Sequence, residues 1–170
     1  YFQFVQQWPP TNCRVRIKRP CSNPRPLQYF TIHGLWPSNY SNPTMPSNCN
    51  GTQFKIQNLV CFPYLRSRLK TSWPDVESGN DTKFWEGEWK KHGTCSERIL
   101  NLMQYFQRSQ AMWKSHNITE ILKNASIVPH PTQTWTYLDI VSAIKAGTQT
   151  TPLLRCKRDK NNTQLLHEVV

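Results

Sequence analysis

The sequence lacks the long apolar runs, repeats and internal linkers that mark membrane proteins, solenoids and multidomain chains. No stretch of its 170 residues is apolar over enough length to cross a bilayer. The opening residues have neither the charged start nor the small-residue exit of a signal peptide, so we expect that signal to be already absent. We therefore expect no membrane partner and one domain over residues 1–170.

Acidic residues are scarce. Lys and Arg number 21 against 10 Asp and Glu, which leaves a formal charge of +11 and a pI near 9.6. Such a charge favours a polyanionic partner such as RNA or an acidic surface. On charge alone, a cationic secreted protein with no role on nucleic acids fits equally well.

Six cysteines occur without any Cys-x-x-Cys pair, the short spacing that zinc ribbons need. Disulfides are the better explanation, and they indicate an oxidising compartment. The Asn-x-Ser/Thr pattern of N-glycosylation agrees with passage through the secretory pathway. It occurs at Asn39, Asn50, Asn80, Asn117, Asn124 and Asn161. We expect a secreted glycoprotein in which several of these sites are unused.

Strand and helix patterns interleave along the chain, which predicts an α+β fold with a central antiparallel sheet flanked by helices. One strand pattern covers residues 1–8, where the Pro9-Pro10 step ends it and a loop of disulfide size follows. Another covers residues 27–32 and stops at Gly34 and Pro37, which places His33 at a strand end. Two further strands are predicted at 153–157 and 164–170.

Helical patterns cover the second half of 54–69, then 81–92, 98–116, 118–125 and 136–145. Asp81 or Thr82 is the expected cap of the helix at 81–92, and Gly147 is expected to stop the last helix. The apolar stripe of 98–116, which begins at Ile99, is assigned to core packing. Residues 38–51, rich in Asn, Ser and Pro, are expected to form an irregular surface loop.

One helix has the best candidates for catalytic chemistry. Glu88, Lys91 and His92 stand at i, i+3 and i+4, so their side chains emerge on one face. A cation there can offset charge on a phosphoryl group, and an imidazole that titrates near neutrality can move a proton. A solvated helix face with a single ion pair is the simpler explanation of the spacing alone.

His33 becomes significant together with this helix, although by itself it fits an ordinary hydrogen-bonded histidine. RNA cleavage through its own 2′-hydroxyl needs one base for that proton and one acid for the departing 5′-oxygen, so two histidines suffice. This chemistry needs no metal and no cofactor, and the sequence predicts neither. The remaining histidines, which match no motif and are predicted to lie at the surface, are His116, His130 and His167.

Two segments resemble the active-site segments of the ribonuclease T2 family. Residues 30–38 read Phe-Thr-Ile-His-Gly-Leu-Trp-Pro-Ser, and residues 84–95 read Phe-Trp-Glu-Gly-Glu-Trp-Lys-Lys-His-Gly-Thr-Cys. The resemblance extends over essentially the whole chain. The opening Tyr-Phe-Gln-Phe-Val-Gln-Gln-Trp and the basic charge are similar to plant S-ribonucleases of the rose-family type, the pistil glycoproteins of self-incompatibility.

This resemblance implies roles for residues of the two segments. His92 is the general base that takes the 2′-hydroxyl proton, and His33 is the acid that protonates the leaving oxygen. Glu88 and Lys91 stabilise the phosphorane-like transition state. The products are a 2′,3′-cyclic phosphate and a free 5′-hydroxyl, with slow hydrolysis of the cyclic ester afterwards. Many members have a third histidine where this chain has Gly87, so one phosphate contact is expected to be missing without loss of activity.

The resemblance also implies which residues seat the substrate. Trp36 is expected to help to seat RNA beside His33, since unpaired bases are commonly held by stacking on aromatic side chains. For Trp36 and Phe84, packing in the core beside the site fits equally well. The expected lining of the base and phosphate pockets is Gln7, Asp75, Val76 and Phe84.

The cysteines of the family pattern imply two disulfides, Cys13 with Cys21 and Cys49 with Cys95. Cys156 normally joins a cysteine further along, but this chain stops at Val170. We therefore expect a fragment that lacks the last strand segment and its cysteines, together with some leading residues. Cys61 has no family counterpart and is expected either to be free or to pair with Cys156.

Two classes of function remain open. The first is an active, monomeric ribonuclease that cleaves single-stranded RNA, either in pollen rejection or as a housekeeping or defence enzyme. The second is a catalytically silent basic glycoprotein that binds RNA or another partner. Intact His33, Glu88, Lys91 and His92 favour the first, and the high pI favours pollen rejection within it. S-ribonucleases have a hypervariable stretch after the first active-site segment, so residues 51–65 are the expected surface for pollen F-box proteins.

Overall fold

Four strands form an antiparallel sheet in the computed structural model, which describes residues 1–16, 20–41, 44–130 and 132–170. The strands are β1 (Phe2–Gln7), β2 (Thr31–Pro37), β3 (Leu154–Arg158) and β4 (Gln164–Val169). Their spatial order is β2-β1-β4-β3, and each neighbouring pair is antiparallel. The predicted α+β class with a central antiparallel sheet is confirmed.

Helices flank this sheet. In the described ranges they are α1 (Pro9–Arg14), α2 (Ile56–Val60), α3 (Pro63–Ser72), α4 (Asp81–Lys91), α5 (Leu102–Ser115), α6 (Ile118–Asn124) and α7 (Tyr137–Thr148), with a 3-10 turn at Gly93–Ser96. α6 begins after Asn117, as predicted, because the Asn117 side chain accepts a hydrogen bond from the Glu120 N–H at 3.2 Å. No helix in the part of the chain that the structure describes is long and apolar enough to span a membrane.

Two clusters of buried side chains join the helices to the sheet. The larger packs α3, α4 and α5 on β2 through aromatic residues whose indole N–H groups reach backbone carbonyls. Trp85 donates to the Trp73 carbonyl at 2.7 Å, and Trp73 donates to the His33 carbonyl at 3.0 Å. The second cluster lies around α6 and α7 and includes Phe30 and Ile144. The first cluster therefore fixes α4 against β2, the two elements that contain the predicted site.

The course of β2 differs from the prediction around His33. The sequence predicts a strand at 27–32 that stops at Gly34 and Pro37, but β2 runs over Thr31–Pro37 and has His33 inside it. Hydrogen bonding to β1 outweighs the low strand preference of glycine, because strand preference depends on context. The local breaker signal was therefore wrong.

Other element boundaries also differ from the prediction, and the helix predicted in the second half of 54–69 is the pair α2 and α3. The Pro9-Pro10 step ends β1 but starts α1 instead of a loop, because proline is tolerated in the first turn of a helix. Gly147 lies inside α7, and Gln149 takes the left-handed conformation after it, with φ of 59°. Ile99 precedes α5 and is 73% exposed, so it does not belong to the core stripe.

Both implied disulfides are present. Cys13–Cys21 closes the segment after α1, and Cys49–Cys95 ties the Asn-rich loop to the turn that follows α4. Cys61 and Cys156 are both exposed free thiols, so the first of the two alternatives for Cys61 holds in this structure. The second disulfide restrains the chain directly behind the C-terminal end of α4.

Candidate active site

Helix α4 begins at a cap that the sequence analysis misplaced by one residue. The side chain of Asn80 accepts a hydrogen bond from the Lys83 N–H at 3.1 Å, so neither Asp81 nor Thr82 is the cap. Asp81 has another partner, because its carboxylate accepts from the Asp75 N–H at 2.8 Å. The position of this cap fixes the residue at which α4 begins, and therefore the side of the helix on which each later side chain emerges.

The last turn of α4 turns its acid and its imidazole inward. Glu88 is 8% exposed, and His92, which ends the helix, is 3% exposed, whereas Lys91 is exposed. Lys91 still influences both neighbours through its charge. The alternative of a solvated helix face therefore does not hold for Glu88 and His92.

His33 reaches the site from a bulge in β2. Ile32 pairs with Gln6 and Gly34 pairs with Val5, so His33 has no partner residue across the strand pair. A bulge bends its strand and re-aims a side chain, and bulges are common beside active sites. The side chain of His33 is 30% exposed, in contrast to the almost fully buried His92 ring.

The indole of Trp36 contacts both histidines. Its centroid lies 5.2 Å from that of His33 and 5.1 Å from that of His92, with the His92 ring tilted by only 27°. Its N–H donates to Oε2 of Glu88 at 3.0 Å. Gly34 leaves room for this contact, because a Cβ there would lie 2.2 Å from the indole nitrogen and 2.3 Å from the carboxylate oxygen. Trp36, which is 7% exposed, therefore positions the neighbouring side chains.

Burial controls the protonation of the two inward residues. Burial raises the pKa of Glu88, against the lowering effects of the His33 charge, the Trp36 hydrogen bond and the Lys91 charge. Burial, followed by the positive charges of Lys91 and His33, lowers the pKa of His92 from 6.5 to about 4. The His92 imidazole is thus neutral in weakly acidic and neutral solution and can accept a proton.

A carboxylate that the sequence analysis missed lies against His33. Glu168 on β4 is 5% exposed and places Oε1 2.6 Å from Nδ1 of His33, while Oε2 accepts from Arg155 at 3.2 Å. Burial alone would raise the pKa of Glu168, but the hydrogen bond and charge of His33, with His167 and Arg155, lower it to about 2. The charged residue of β4 directly before Val169 and Val170 was a usable signal, since a buried charge needs a partner.

His167 is buried, with 6% exposure, which corrects the prediction of a surface position. A bulge opposite Arg155 and Cys156 leaves it without a partner residue in β3, and its Nε2 lies 3.3 Å from Oδ1 of Asn12. Burial, and then the Lys157 charge, lowers the pKa of His167 to about 4. In the described ranges, no three His, Cys, Asp or Glu side chains are grouped so as to hold a metal ion. The other two histidines are the exposed His130 and the partly exposed His116.

A cavity of 640 Å³ opens beside His33. The ring of Phe84 lies 6.1 Å from that of His33 and forms part of the wall, so Phe84 faces the opening instead of the core alone. Lys83 and Lys157 add positive charge to the wall. The four predicted pocket residues all line this cavity: Gln7, Asp75, Val76 and Phe84. An aromatic face, amides and cations together suit an unpaired nucleotide.

The Asp75 carboxylate is occupied by hydrogen bonds within its own turn and is not free to bind a ligand. Its Oδ1 accepts from the N–H groups of Glu77 at 2.9 Å and Ser78 at 3.0 Å. Its Oδ2 accepts from the Ser78 hydroxyl and, at 3.3 Å, from the Asn80 N–H. Because these bonds occupy the acceptor capacity of the carboxylate, Asp75 mainly holds the turn. The side-chain amide of Gln7, with hydrogen bonds of 3.4 and 3.5 Å, retains more capacity for a ligand.

The predicted glycosylation sites differ in their surroundings. Asn117 is only partly exposed, its side chain caps α6, and the Thr119 hydroxyl of the same sequon accepts from the Phe30 N–H at 2.8 Å. Both polar side chains of that sequon are therefore engaged in hydrogen bonds of the folded chain. The exposed asparagines are Asn39, Asn50, Asn80, Asn124 and Asn161.

Comparison with known proteins gives one family from both sequence and structure. A profile described as "Ribonuclease T2 family" matches residues 1–170. "Ribonuclease 1" of Arabidopsis thaliana is 37% identical over 174 residues, which cover 99% of this chain and 73% of that protein. "Ribonuclease S-1" of Pyrus pyrifolia is likewise 37% identical, over 99% and 73% of the two chains. The fold superposes on ribonuclease MC1 from bitter gourd seeds with a TM-score of 0.89 and 37% identity, covering 99% and 85%.

Proposed function

The chain belongs to the ribonuclease T2 family and is an endoribonuclease, and from this premise we propose that it cleaves single-stranded RNA by metal-free transphosphorylation. His92 is the general base and His33 the general acid. The observation that carries the proposal is the pair of imidazoles in contact with Trp36, at 5.1 and 5.2 Å between centroids. The His92 imidazole is neutral because it is buried, and Nδ1 of His33 lies 2.6 Å from Oε1 of Glu168.

His92 starts the first step. Its neutral imidazole takes the proton of the 2′-hydroxyl, and the 2′-oxygen attacks phosphorus as that proton leaves. A pKa of about 4 keeps nearly every His92 side chain in the accepting form in neutral solution. The step forms the 2′-oxygen–phosphorus bond of the cyclic phosphate.

His33 completes the first step. It donates a proton to the departing 5′-oxygen as the bond between that oxygen and phosphorus breaks. Glu88 and Lys91 stabilise the phosphorane-like transition state, Lys91 through its charge on the phosphoryl oxygens and Glu88 from a buried position that raises its pKa. In the slower second step water takes the place of the 5′-oxygen, the two histidines exchange roles, and the cyclic ester opens to a 3′-phosphate.

The test is the identity of the products. The enzyme is incubated in excess chelator with a dinucleoside phosphate, and the reaction is followed by ³¹P NMR. A 2′,3′-cyclic phosphate signal that precedes the 3′-phosphate signal is expected, and the 2′-deoxy analogue should remain uncut. Direct appearance of a 5′-phosphate, or cleavage of the 2′-deoxy analogue, would exclude attack by the 2′-oxygen.

We propose further that the enzyme is a secreted monomer and the pistil determinant of gametophytic self-incompatibility. Two disulfides and five exposed sequons support secretion. The similarity to "Ribonuclease S-1" of Pyrus pyrifolia supports the pistil role. Residues 51–65, the expected surface for pollen F-box proteins, include exposed apolar side chains at Val60, Phe62 and Tyr64.

Exchange of residues 51–65 between two alleles tests this role. The exchanged enzyme should keep its ribonuclease activity and change the pollen that it rejects. Unchanged rejection would remove this segment from recognition. An active enzyme that rejects no pollen would favour a general defence ribonuclease, and a folded chain without activity would favour a silent binding glycoprotein.

A further inference from the structure

Glu168 and Arg155 form an ion pair directly behind His33, in which the Glu168 side chain is 6% exposed and the Arg155 side chain 34% exposed. One oxygen of the Glu168 carboxylate lies 2.6 Å from Nδ1 of His33, and the other accepts from Arg155 at 3.2 Å. Short contacts between a carboxylate and an imidazole are strong and directional. Because Nδ1 is engaged with Glu168, the proton that His33 transfers to substrate must come from Nε2.

The sheet holds the carboxylate in place from both sides. Glu168 pairs with Gln7 of β1 on one side and with Arg155 of β3 on the other. The guanidinium of Arg155 also donates to Oε1 of Gln3 at 3.3 Å and lies 5.3 Å from the Trp36 ring centroid. These contacts hold the guanidinium beside the carboxylate, and a lysine at this position could not make all of them.

Glu168 cannot act on RNA directly. Both oxygens of its carboxylate are already engaged, Oε1 with Nδ1 of His33 and Oε2 with the Arg155 guanidinium, so neither is free for a substrate. Nδ1 of His167 lies 3.6 Å from Oε1 of Glu168, beyond hydrogen-bond distance, so His33 is the closer imidazole. The shortest route from Glu168 to the reacting atoms is therefore through His33, while its charge acts on Glu88 and His167 at longer range.

We propose that Glu168, held by Arg155, is the positioning residue of the catalytic acid: it fixes the His33 ring with Nδ1 toward β4, and it stabilises the positive charge that His33 has before it donates its proton from Nε2. The inference rests on the proposed role of His33 as the acid. It adds a third group behind the acid, which orients the imidazole as the buried aspartate of a serine-protease triad orients its histidine.

Two substrates with the same nucleoside 3′-phosphate separate this role from a structural one. A dinucleoside phosphate releases a 5′-alkoxide, which needs a proton, whereas a 4-nitrophenyl ester releases a phenolate that leaves without one. Glu168→Gln keeps the shape of the side chain and removes its charge. It should lower kcat on the dinucleoside phosphate by about 10- to 100-fold, a part of what a positioned acid contributes, and by at most about threefold on the aryl ester.

Asp159→Asn is the matched control. Asp159 is another buried carboxylate paired with an arginine, Arg14 at 2.6 Å, and it does not line the cavity. Its replacement should change the rates on the two substrates by the same factor. His33→Ala should lose the whole contribution of the acid on the dinucleoside phosphate and little on the aryl ester. The double variant with Glu168→Gln should be no slower than His33→Ala alone.

Equal losses on both substrates in Glu168→Gln, or losses that multiply in the double variant, would overturn the inference and leave the acid role of His33 intact. Parental cleavage of the dinucleoside phosphate by His33→Ala would instead overturn the proposed acid itself. If Glu168→Gln fails to fold, Arg155→Met keeps the carboxylate and should show a smaller loss with the same substrate selectivity. In the folded parent, ¹⁵N shifts should place the neutral His33 proton on Nδ1, and an Nε2–H tautomer there would also refute the inference.

Discussion

Gly34→Ala should reduce RNA cleavage by about 100-fold, because the added methyl group occupies the space where Trp36 meets Glu88. The new Cβ would lie 2.2 Å from the indole nitrogen and 2.3 Å from the carboxylate oxygen, whereas ordinary contact begins at 3.4 Å. Both neighbours are at most 8% exposed, so neither can swing into solvent. At least one must move by about 1 Å, a displacement that typically costs about two orders of magnitude in rate.

Gly87→Ala is the matched control, since a Cβ at this position on the exposed side of α4 meets nothing within 4 Å. It should leave kcat unchanged and raise the free energy of unfolding by about 0.5–1 kcal/mol, because alanine is the better helix former. Gly34→Ala should lower that free energy by about 1–3 kcal/mol through overpacking.

The assay is kcat on a dinucleoside phosphate, with near-ultraviolet circular dichroism to show that each variant is folded. Gly34→Ala should slow the Glu88→Ala enzyme by clearly less than it slows the parent, since one of the two close contacts of the added methyl group is then gone. A folded Gly34→Ala enzyme with parental kcat would refute the argument that the Trp36–Glu88 contact positions the site.

Three further predictions follow from burial and connectivity. His92 must be neutral to act as base, so the acid limb of kcat/KM should lie near pH 4 instead of 6.5, and Lys91→Gln should move it to higher pH; a limb near 6.5 in the parent would contradict the assigned base. The pKa of His167 is also lowered, to about 4, so the unfolded chain binds its proton first as the pH falls from 6.5. Urea unfolding at pH 7 and pH 4 should show a loss of up to about 3 kcal/mol from His167 and a similar loss from His92. His167→Gln should remove about half of the sum, and an unchanged loss in that variant would assign it to other groups. Replacing Cys49 and Cys95 with serine opens a loop of 46 residues and should cost about 4 kcal/mol in urea unfolding, whereas a cost below about 1 kcal/mol would mean that packing alone holds the Asn-rich loop.

Local spacing was sufficient to predict α4 and the shared face of Glu88 and His92, but not the burial of that face. Glu88 and His92 are four residues apart, and one helical turn brings them together whatever the rest of the fold does. The cap was less predictable, because Asn80 and Asp81 are both good acceptors. The competition is decided by Asp75, whose N–H takes the Asp81 carboxylate out of the capping position.

The acid side of the site depends on contacts that spacing cannot show. Glu168 meets His33 across 135 residues, through a strand order that brings β4 beside β1 and through two bulges. Side chains of a strand alternate between the two faces of the sheet, and a bulge shifts this alternation by one residue. A side chain assigned to one face by simple alternation therefore lies on the other. His167 was assigned to the surface because it matches no motif, and β2 was ended too early because glycine and proline were taken as stops.

The most direct test of the two-histidine mechanism is the release of acid-soluble nucleotides from RNA in excess chelator by the parent enzyme, His33→Ala and His92→Ala. We expect the parent to remain active under chelator and each folded variant to lose at least about 100-fold in kcat, the smaller end of what a positioned acid or base contributes. A chelator-sensitive parent, or a folded variant of either histidine with parental activity, would contradict the two-histidine mechanism.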